Sequence, residues 1–315
     1  MGEGVRMASS MLSGISASAQ IPSMHHTMFT LDRLRAARRD VDTTVSVCLP
    51  ARDEESTVGP IVEILRDRLV RSGIIDEIVV IDDHSTDATA RMARRAGARV
   101  VPAEAILADY GPGHGKGEVL WKSLHVTQGD LVVWCDADIA EFHERFVTGI
   151  IGPMLCDGSV WFSKGFYDRP EVGAEGGGRV TELVARPLLS SFFPELCQFR
   201  QPLSGEFGGR REFLEQVPFV EGYGVDVGLL IDLSRRFGTD GMVQVDLEIR
   251  HHRNRPLSEL GPQAQAVAQT ILHKARPDLV GPTTSLLRPD QAEVIVDVFE
   301  RPPLVELDAY VRRSA

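Results

Sequence analysis

Apolar positions in the first half of the chain fall into short unbroken runs separated by helical spacings. TVSVCLP (44–50), DEIVVIDD (76–83), ARVVP (98–102) and LVVWC (131–135) read as strands, and runs without polar alternation belong to strands covered on both faces. Between them, Val58, Ile61, Val62, Leu65 and Leu69 recur at helical spacing. STDATARMARRAG reads as a second helix that Ser85 or Thr86 can cap, and a third runs around Val119 to Val126. Strands alternating with helices of this length predict an α/β fold, a mostly parallel, doubly wound sheet flanked by helices.

The second half is less regular. SVWFSKGFY (159–167) is strand-like, GGGRVTELVA (176–185) enters a helix that Pro187 kinks or ends, and VDVGLLIDLSRRF (225–237) is a further helix. MVQVDLEIR (242–250) alternates strictly, so Val243, Val245, Leu247 and Ile249 should face the core while Gln244, Asp246, Glu248 and Arg250 face water. No change of composition marks a linker, which predicts a single domain.

Composition narrows the function classes. At 315 residues, with 43% hydrophobic and 25% charged positions, the chain has ample core for a folded globular protein. A net charge of −11 argues against a sequence-independent nucleic-acid binder, though a local cluster of Arg and Lys still suits a small anionic substrate. Cys48, Cys135, Cys156 and Cys197 form no C-x-x-C, and two lie in apolar runs, which predicts reduced core thiols in a cytoplasmic protein. No apolar stretch is long enough for a signal-peptide core or a membrane span, so neither is expected.

The candidate chemistry gathers where strands end. Open α/β sheets bind ligands outside the carboxyl edge of their strands. Four polar clusters fall there: Arg52-Asp53-Glu54-Glu55, Asp82-Asp83, the 111–117 loop and Asp136-Ala137-Asp138. Residues i and i+2 of an extended chain point the same way, so Asp136 and Asp138 are placed to share one cation; the alternative is one helix cap and one solvated acid. GPGHGKGE (111–118) is not a Walker loop, because that pattern needs Gly at Tyr110 and Ser or Thr at Gly117. It is a glycine-rich loop carrying Lys116, one of four lysines in the chain. In EGGGRVTEL, glycines 176–178 precede Arg179 and Thr181 at a helix start, where exposed N–H groups, a hydroxyl and a guanidinium suit a phosphate or carboxylate. RHHRNRP (250–256) adds His251, His252 and Asn254 after the alternating strand, one histidine being a candidate metal ligand.

VCLPARDEE, VVIDDHSTDAT, GKGEVLW, WCDADI, GGGRVTELVARPLL, QPLSGEF, GYGVDVGLLID and HHRNRPL, in that order, resemble the actinobacterial glucosyl- and mannosyl-3-phosphoglycerate synthases. These are retaining glycosyltransferases of the GT-A fold, and the mannosyl members look closest. The resemblance runs from about residue 40 to about 260 and divides the chain into a mobile tail and lead-in (1–40), a nucleotide-sugar-binding half (41–140), an acceptor-binding half (141–275) and a C-terminal extension (276–315). It implies that Pro50, Ala51, Glu54 and Asp83 line the nucleoside pocket and that Lys116, Asp136 and Ala137 approach the donor. Asp138, His252 and Asp136 would hold Mg2+ or Mn2+. Gly178, Arg179, Thr181 and Asn254 would hold 3-phosphoglycerate, and Tyr223 and Asp226 would face the sugar. Relatives can carry Glu where Asp226 stands, which leaves a base role for Asp226 open. The implied reaction moves a hexosyl group from GDP-mannose or UDP-glucose, with mannose favoured, to the 2-hydroxyl of 3-phosphoglycerate in a homodimeric enzyme. Two other classes compete: a sugar-phosphate nucleotidylyltransferase, which would carry G-x-G-T-R after the first strand where this chain has Arg52-Asp53-Glu54-Glu55, and a non-catalytic nucleotide-sugar-binding protein.

Overall fold

Why the first-half strands are apolar throughout is plain in a computed structural model of the chain, which describes residues 20–113, 115–168, 178–250 and 257–310. They lie inside an eight-stranded sheet with both faces covered. The strands are β1 (Ser23–His25), β2 (Val45–Ala51), β3 (Glu77–Asp82), β4 (Arg99–Pro102), β5 (Leu131–Trp134), β6 (Phe162–Asp168), β7 (Phe207–Arg210), β8 (Phe219–Val220) and β9 (Met242–Ile249). Their order across the sheet is β1-β9-β6-β7-β5-β2-β3-β4, with β8 outside it. Every neighbouring pair is parallel except those of β7, which runs antiparallel to β5 and β6. The helices are α1 (Leu31–Asp40), α2 (Val58–Leu65), α3 (Thr89–Ala96), α4 (Lys116–Val126), α5 (Arg145–Cys156), α6 (Arg186–Phe192), α7 (Arg211–Leu214), α8 (Val225–Phe237) and α9 (Leu257–Ala275). One core holds α2, α3 and α5 against one face of the sheet; a second, rich in Trp and Phe, holds α4 and α8 against the other. This is the mostly parallel, helix-flanked α/β architecture expected from the sequence.

Residues 20–40, read from the sequence as tail and lead-in, pack tightly. Ile21, Phe29 and Leu34 are buried, and β1 pairs with β9 from Ser23↔Gln244 to His25↔Asp246. Residues 276–310 of the C-terminal extension also fold back. A hairpin of β10 (Thr283–Leu286) and β11 (Val294–Asp297) precedes β12 (Glu300–Arg301), which pairs with β8, while Trp121 Nε1 donates to Pro302 O at 2.8 Å.

Three local readings are corrected. The wet face expected on β9 is covered in part: Gln244 and Arg250 are buried while Asp246 is half-buried and Glu248 exposed, and Ile249, expected in the core, is 45% exposed. Gln244 satisfies its amide on Arg200 N (2.8 Å) and Gln198 O (2.9 Å), and an irregularity against β6 near Phe166 breaks the alternation beyond Leu247. Ser85 and Thr86 do not cap α3. Asp87 Oδ1 accepts from Thr89 N at 2.9 Å and Glu55 Oε2 from Ala88 N at 2.9 Å, so the orphan amides are met from inside and across the loop. Nor does Pro187 end its helix. Thr181–Ala185 widens into a π turn that absorbs the ring, and α6 continues with the proline in its first turn.

Candidate active site

The carboxyl edge of the sheet brings the expected acids and Lys116 together. β5 ends at Trp134, and the extended chain beyond it sends Asp136 and Asp138 toward one point. Arg250 reaches that point from the end of β9: its Nη2 lies 3.1 Å from Asp136 Oδ2 and 2.7 Å from Asp138 Oδ1. The alternative of a helix cap and a solvated acid is therefore not what these residues adopt. Gly205 leaves space for this, since a Cβ there would lie 2.1 Å from Asp136 Oδ2.

Lys116 opens α4 and links the two halves of the site. Its Nζ lies 3.2 Å from Asp136 Oδ1 and 3.2 Å from Asp226 Oδ1 at the start of α8. The approach depends on Gly117, whose Cβ would stand 1.8 Å from Val220 O; only glycine lets α4 press against β8 this closely. Burial lowers the Lys116 pKa, but the charges of Asp136, Asp226 and Glu206 outweigh it and hold the group above the ordinary lysine value. Lys116 is thus a fixed cation, not a base. Burial pushes the Asp226 carboxyl up, opposed by Lys116 and Lys164.

Pro50 and Ala51 end β2 beside Ile81 and Asp82. Glu54 is half-buried, and its carboxyl is pushed up first by burial and then by Asp138, Asp87 and Asp136, against a hydrogen bond from Thr57 Oγ1. Asp83 is buried; its Oδ2 accepts from Gly115 N at 3.1 Å, fastening the glycine loop to the sheet edge. Tyr223 stands 47% exposed on the turn before α8.

On the other side of the 199–206 loop lies a cleft lined by Gly178, Thr181, Glu182, Arg200, Gln201, Leu203 and Ser204. Gly178 is left-handed (φ 107°), and its carbonyl accepts from Glu182 N to start the helix, with Arg179 between them. Ser204 lines the cleft while the adjacent Gly205 abuts Asp136, so one loop touches both the cleft and the acid cluster. His251, His252 and Asn254, together with glycines 176 and 177, lie outside the described residues.

Three residues escaped the sequence reading. Arg250 was assigned to a wet strand face, and Glu206 lay in QPLSGEF, a motif with no role attached. Glu206 is fully buried, with Oε1 3.6 Å from Arg250 Nη1. Lys164 is buried on β6; its Nζ donates to Ser204 O at 2.9 Å and sits over the Phe207 ring, and burial lowers its pKa to about 8. No sequence signal marked Lys164 or Glu206, because each is brought in by long-range strand pairing.

An α/β sheet with paired acids at its carboxyl edge and a polar cleft alongside is the arrangement of a GT-A glycosyltransferase. Residues 46–167 match Glycosyl transferase family 2. A glucosyl-3-phosphoglycerate synthase of Petrotoga mobilis is 40% identical over 307 residues, covering 91% of this chain and 94% of that protein. The structure of mannosyl-3-phosphoglycerate synthase from Rubrobacter xylanophilus superposes with a TM-score of 0.84 at 36% identity, covering 91% of this chain and 97% of that one. Glucosyl-3-phosphoglycerate synthase from Mycobacterium tuberculosis, solved with Mn2+, UDP-glucose and phosphoglyceric acid, gives 0.80 at 41% identity, covering 90% and 98%; the same protein has been solved with Mg2+ and UDP. The chain belongs to the glucosyl- and mannosyl-3-phosphoglycerate synthase family, the hexosyltransferases that the sequence motifs pointed to. Membership sets aside the nucleotidylyltransferase and non-catalytic readings. Among the described residues no helix is long and apolar enough to cross a membrane.

Proposed function

We propose that this protein transfers glucose, with retention, from UDP-glucose to the 2-hydroxyl of 3-phosphoglycerate in the cytoplasm, using Mg2+ or Mn2+. The observation that carries the reading is the 199–206 loop, which lines the anion cleft through Ser204 and abuts the donor carboxylate Asp136 through Gly205. Acceptor and donor would thus meet across two adjacent residues. Glucose is favoured over the mannose expected from the sequence because the similar curated proteins are glucosyl enzymes. Likeness to the Rubrobacter mannosyl enzyme supports GDP-mannose as the second reading.

The residues fit a divalent cation. Asp136, Asp138, Glu54, Glu206 and Asp226 are five formal negative charges and Lys116, Lys164 and Arg250 three positive ones, so the cluster carries −5 + 3 = −2. Asp136 and Asp138, with His252, would hold the metal, whose contribution is to neutralise charge gathering on the leaving diphosphate. Lys116 adds a fixed positive charge on the same side, stabilisation aimed at where charge develops. Arg179, Thr181 and Arg200 would orient the phosphoglycerate so that its 2-hydroxyl faces the anomeric carbon. The hydroxyl oxygen bonds to that carbon as the bond to diphosphate breaks, on the same face, its proton passing to an oxygen of the departing diphosphate, and Asp226 holds Lys116 in place. Assembly as a homodimer, implied by the sequence resemblance, is checked by mass in solution.

The test is an assay of 3-phosphoglycerate against UDP-glucose, GDP-glucose, GDP-mannose and UDP-galactose with Mg2+ or Mn2+. The highest kcat/KM is expected for UDP-glucose, and preference for GDP-mannose would move the assignment to the mannosyl branch.

A further inference from the structure

A second cluster of metal-binding type lies on the far edge of the sheet, built from β1 and the end of β9. The ligating atoms of His25, His26 and Glu248 all lie within 4.8 Å of one another. Glu248 Oε1 is 3.1 Å from His26 Nε2 and 3.8 Å from His25 Nε2. Donors held tetrahedrally around zinc stand about 3.4 Å apart, so the two separations straddle that value.

The backbone around the cluster orients its ligating atoms. The His26 Nε2 atom is buried and faces the Glu248 carboxylate, whose pKa is held down first by that contact. Glu248 itself has φ 63°, a left-handed conformation that a glutamate in a strand avoids. Asp246 Oδ1 accepts from Glu248 N at 2.9 Å, and Arg145 donates to Leu247 O at 2.8 Å and Ile249 O at 2.7 Å, so the surroundings enforce that backbone and turn the carboxylate toward the histidines.

We propose that His25, His26 and Glu248 bind one divalent cation of the zinc class, which staples β1 to the end of β9. Two imidazoles and one carboxylate suit Zn2+ or Co2+ and disfavour Mg2+, which prefers all-oxygen octahedral sites. His25 Nδ1 lies 2.8 Å from Thr27 Oγ1 and accepts from Thr27 N at 3.3 Å, which anchors the ring beside Glu248. With side chains 42% and 47% exposed, His25 and Glu248 leave an open approach and room for water as a fourth ligand. The proposal uses none of the D-x-D carboxylates and stands whether or not the proposed reaction is correct.

The experiment is Co2+ titration of the Asp138→Asn protein, which lacks a principal donor-site ligand, followed by equilibrium dialysis and visible ligand-field absorption. The site predicts one Co2+ per chain with bands of low-coordinate character, bleached by Zn2+. In the Asp138→Asn background, His26→Gln and Glu248→Gly should each weaken binding at least about tenfold. Glu248→Gly also relieves the left-handed strain, so the metal-free variant should melt no lower than its parent, separating loss of a ligand from loss of fold. Absence of Co2+ binding to Asp138→Asn, or binding that neither second substitution changes, overturns the proposal.

Discussion

Arg250 Nη2 lies 2.7 Å from Asp138 Oδ1, a charge-assisted contact that ties the end of β9 to the end of β5. The guanidinium occupies the point on which the D-x-D oxygens converge, so it competes with any cation for them. Arg250→Gln is expected to destabilise the fold by about 3–5 kcal/mol, because the fully buried Glu206 loses its counter-charge. The donor-free variant should at the same time bind Mn2+ more tightly. Denaturant unfolding and an Mn2+ titration read the two signs; wild-type stability with weaker Mn2+ binding would contradict the competition.

Gly117 decides whether Lys116 reaches Asp226. A Cβ 1.8 Å from Val220 O cannot be accommodated without moving α4 or β8. Gly117→Ala should therefore cost about 1–3 kcal/mol, as overpacking does, and reduce kcat by displacing Lys116 from both acids. Melting temperature and turnover check it, and an unchanged kcat would show that the close approach has no catalytic consequence.

The acceptor cleft is tested by Arg179→Ala and Arg200→Ala. A charge-assisted hydrogen bond contributes about 1.5–3 kcal/mol, so each loss should raise the KM for 3-phosphoglycerate by roughly ten- to a hundredfold. The KM for the nucleotide sugar should hardly change. Arg179→Lys should recover part of the loss, since an ammonium keeps the charge without the planar fork. A defect in the donor KM instead would assign the helix start to the nucleotide site.

Asp232 on α8 links stability to pH away from the active site. It faces Lys274 Nζ at 2.6 Å, and Lys274 also contacts Glu300. Burial pushes its carboxyl up to about 6, opposed by Lys274. A raised carboxyl means that the folded state binds the extra proton between the unfolded pKa near 4 and about 6. The stabilising contribution is fully present below pH ~4 and is lost as pH rises through about 6. Unfolding free energies from pH 4 to 7 should show wild type losing up to about 3 kcal/mol relative to Asp232→Asn over that window. A difference independent of pH would remove Asp232 from the linkage.

Much of the first half was legible because its signals are local. Leu131 to Trp134 is apolar throughout and lies in a strand buried on both faces, and period-two geometry alone brings Asp136 and Asp138 to one point. Lys116 stood out as a rare lysine in a glycine-rich loop. The illegible parts depend on what covers a strand. Alternation from Val243 to Arg250 cannot reveal that residues 198–200 lie over Gln244 and bury that end of the polar face. Phe207–Arg210, Phe-Gly-Gly-Arg, offers no apolar run, yet it is the antiparallel strand that carries Glu206 beneath Arg250. The α3 amides are met by Glu55 from another loop, which a local capping pattern cannot show.

The central claim is that this site joins the anomeric carbon of a nucleotide sugar to the 2-hydroxyl of 3-phosphoglycerate. The most direct measurement is NMR of the product formed from UDP-glucose labelled with carbon-13 at the anomeric position, with Mg2+ or Mn2+ present. A long-range correlation from the α-anomeric carbon to C2 of the glycerate is predicted, and it should vanish with EDTA or in Asp138→Asn. Attachment elsewhere, a β-anomer, or undiminished product in EDTA would contradict the account.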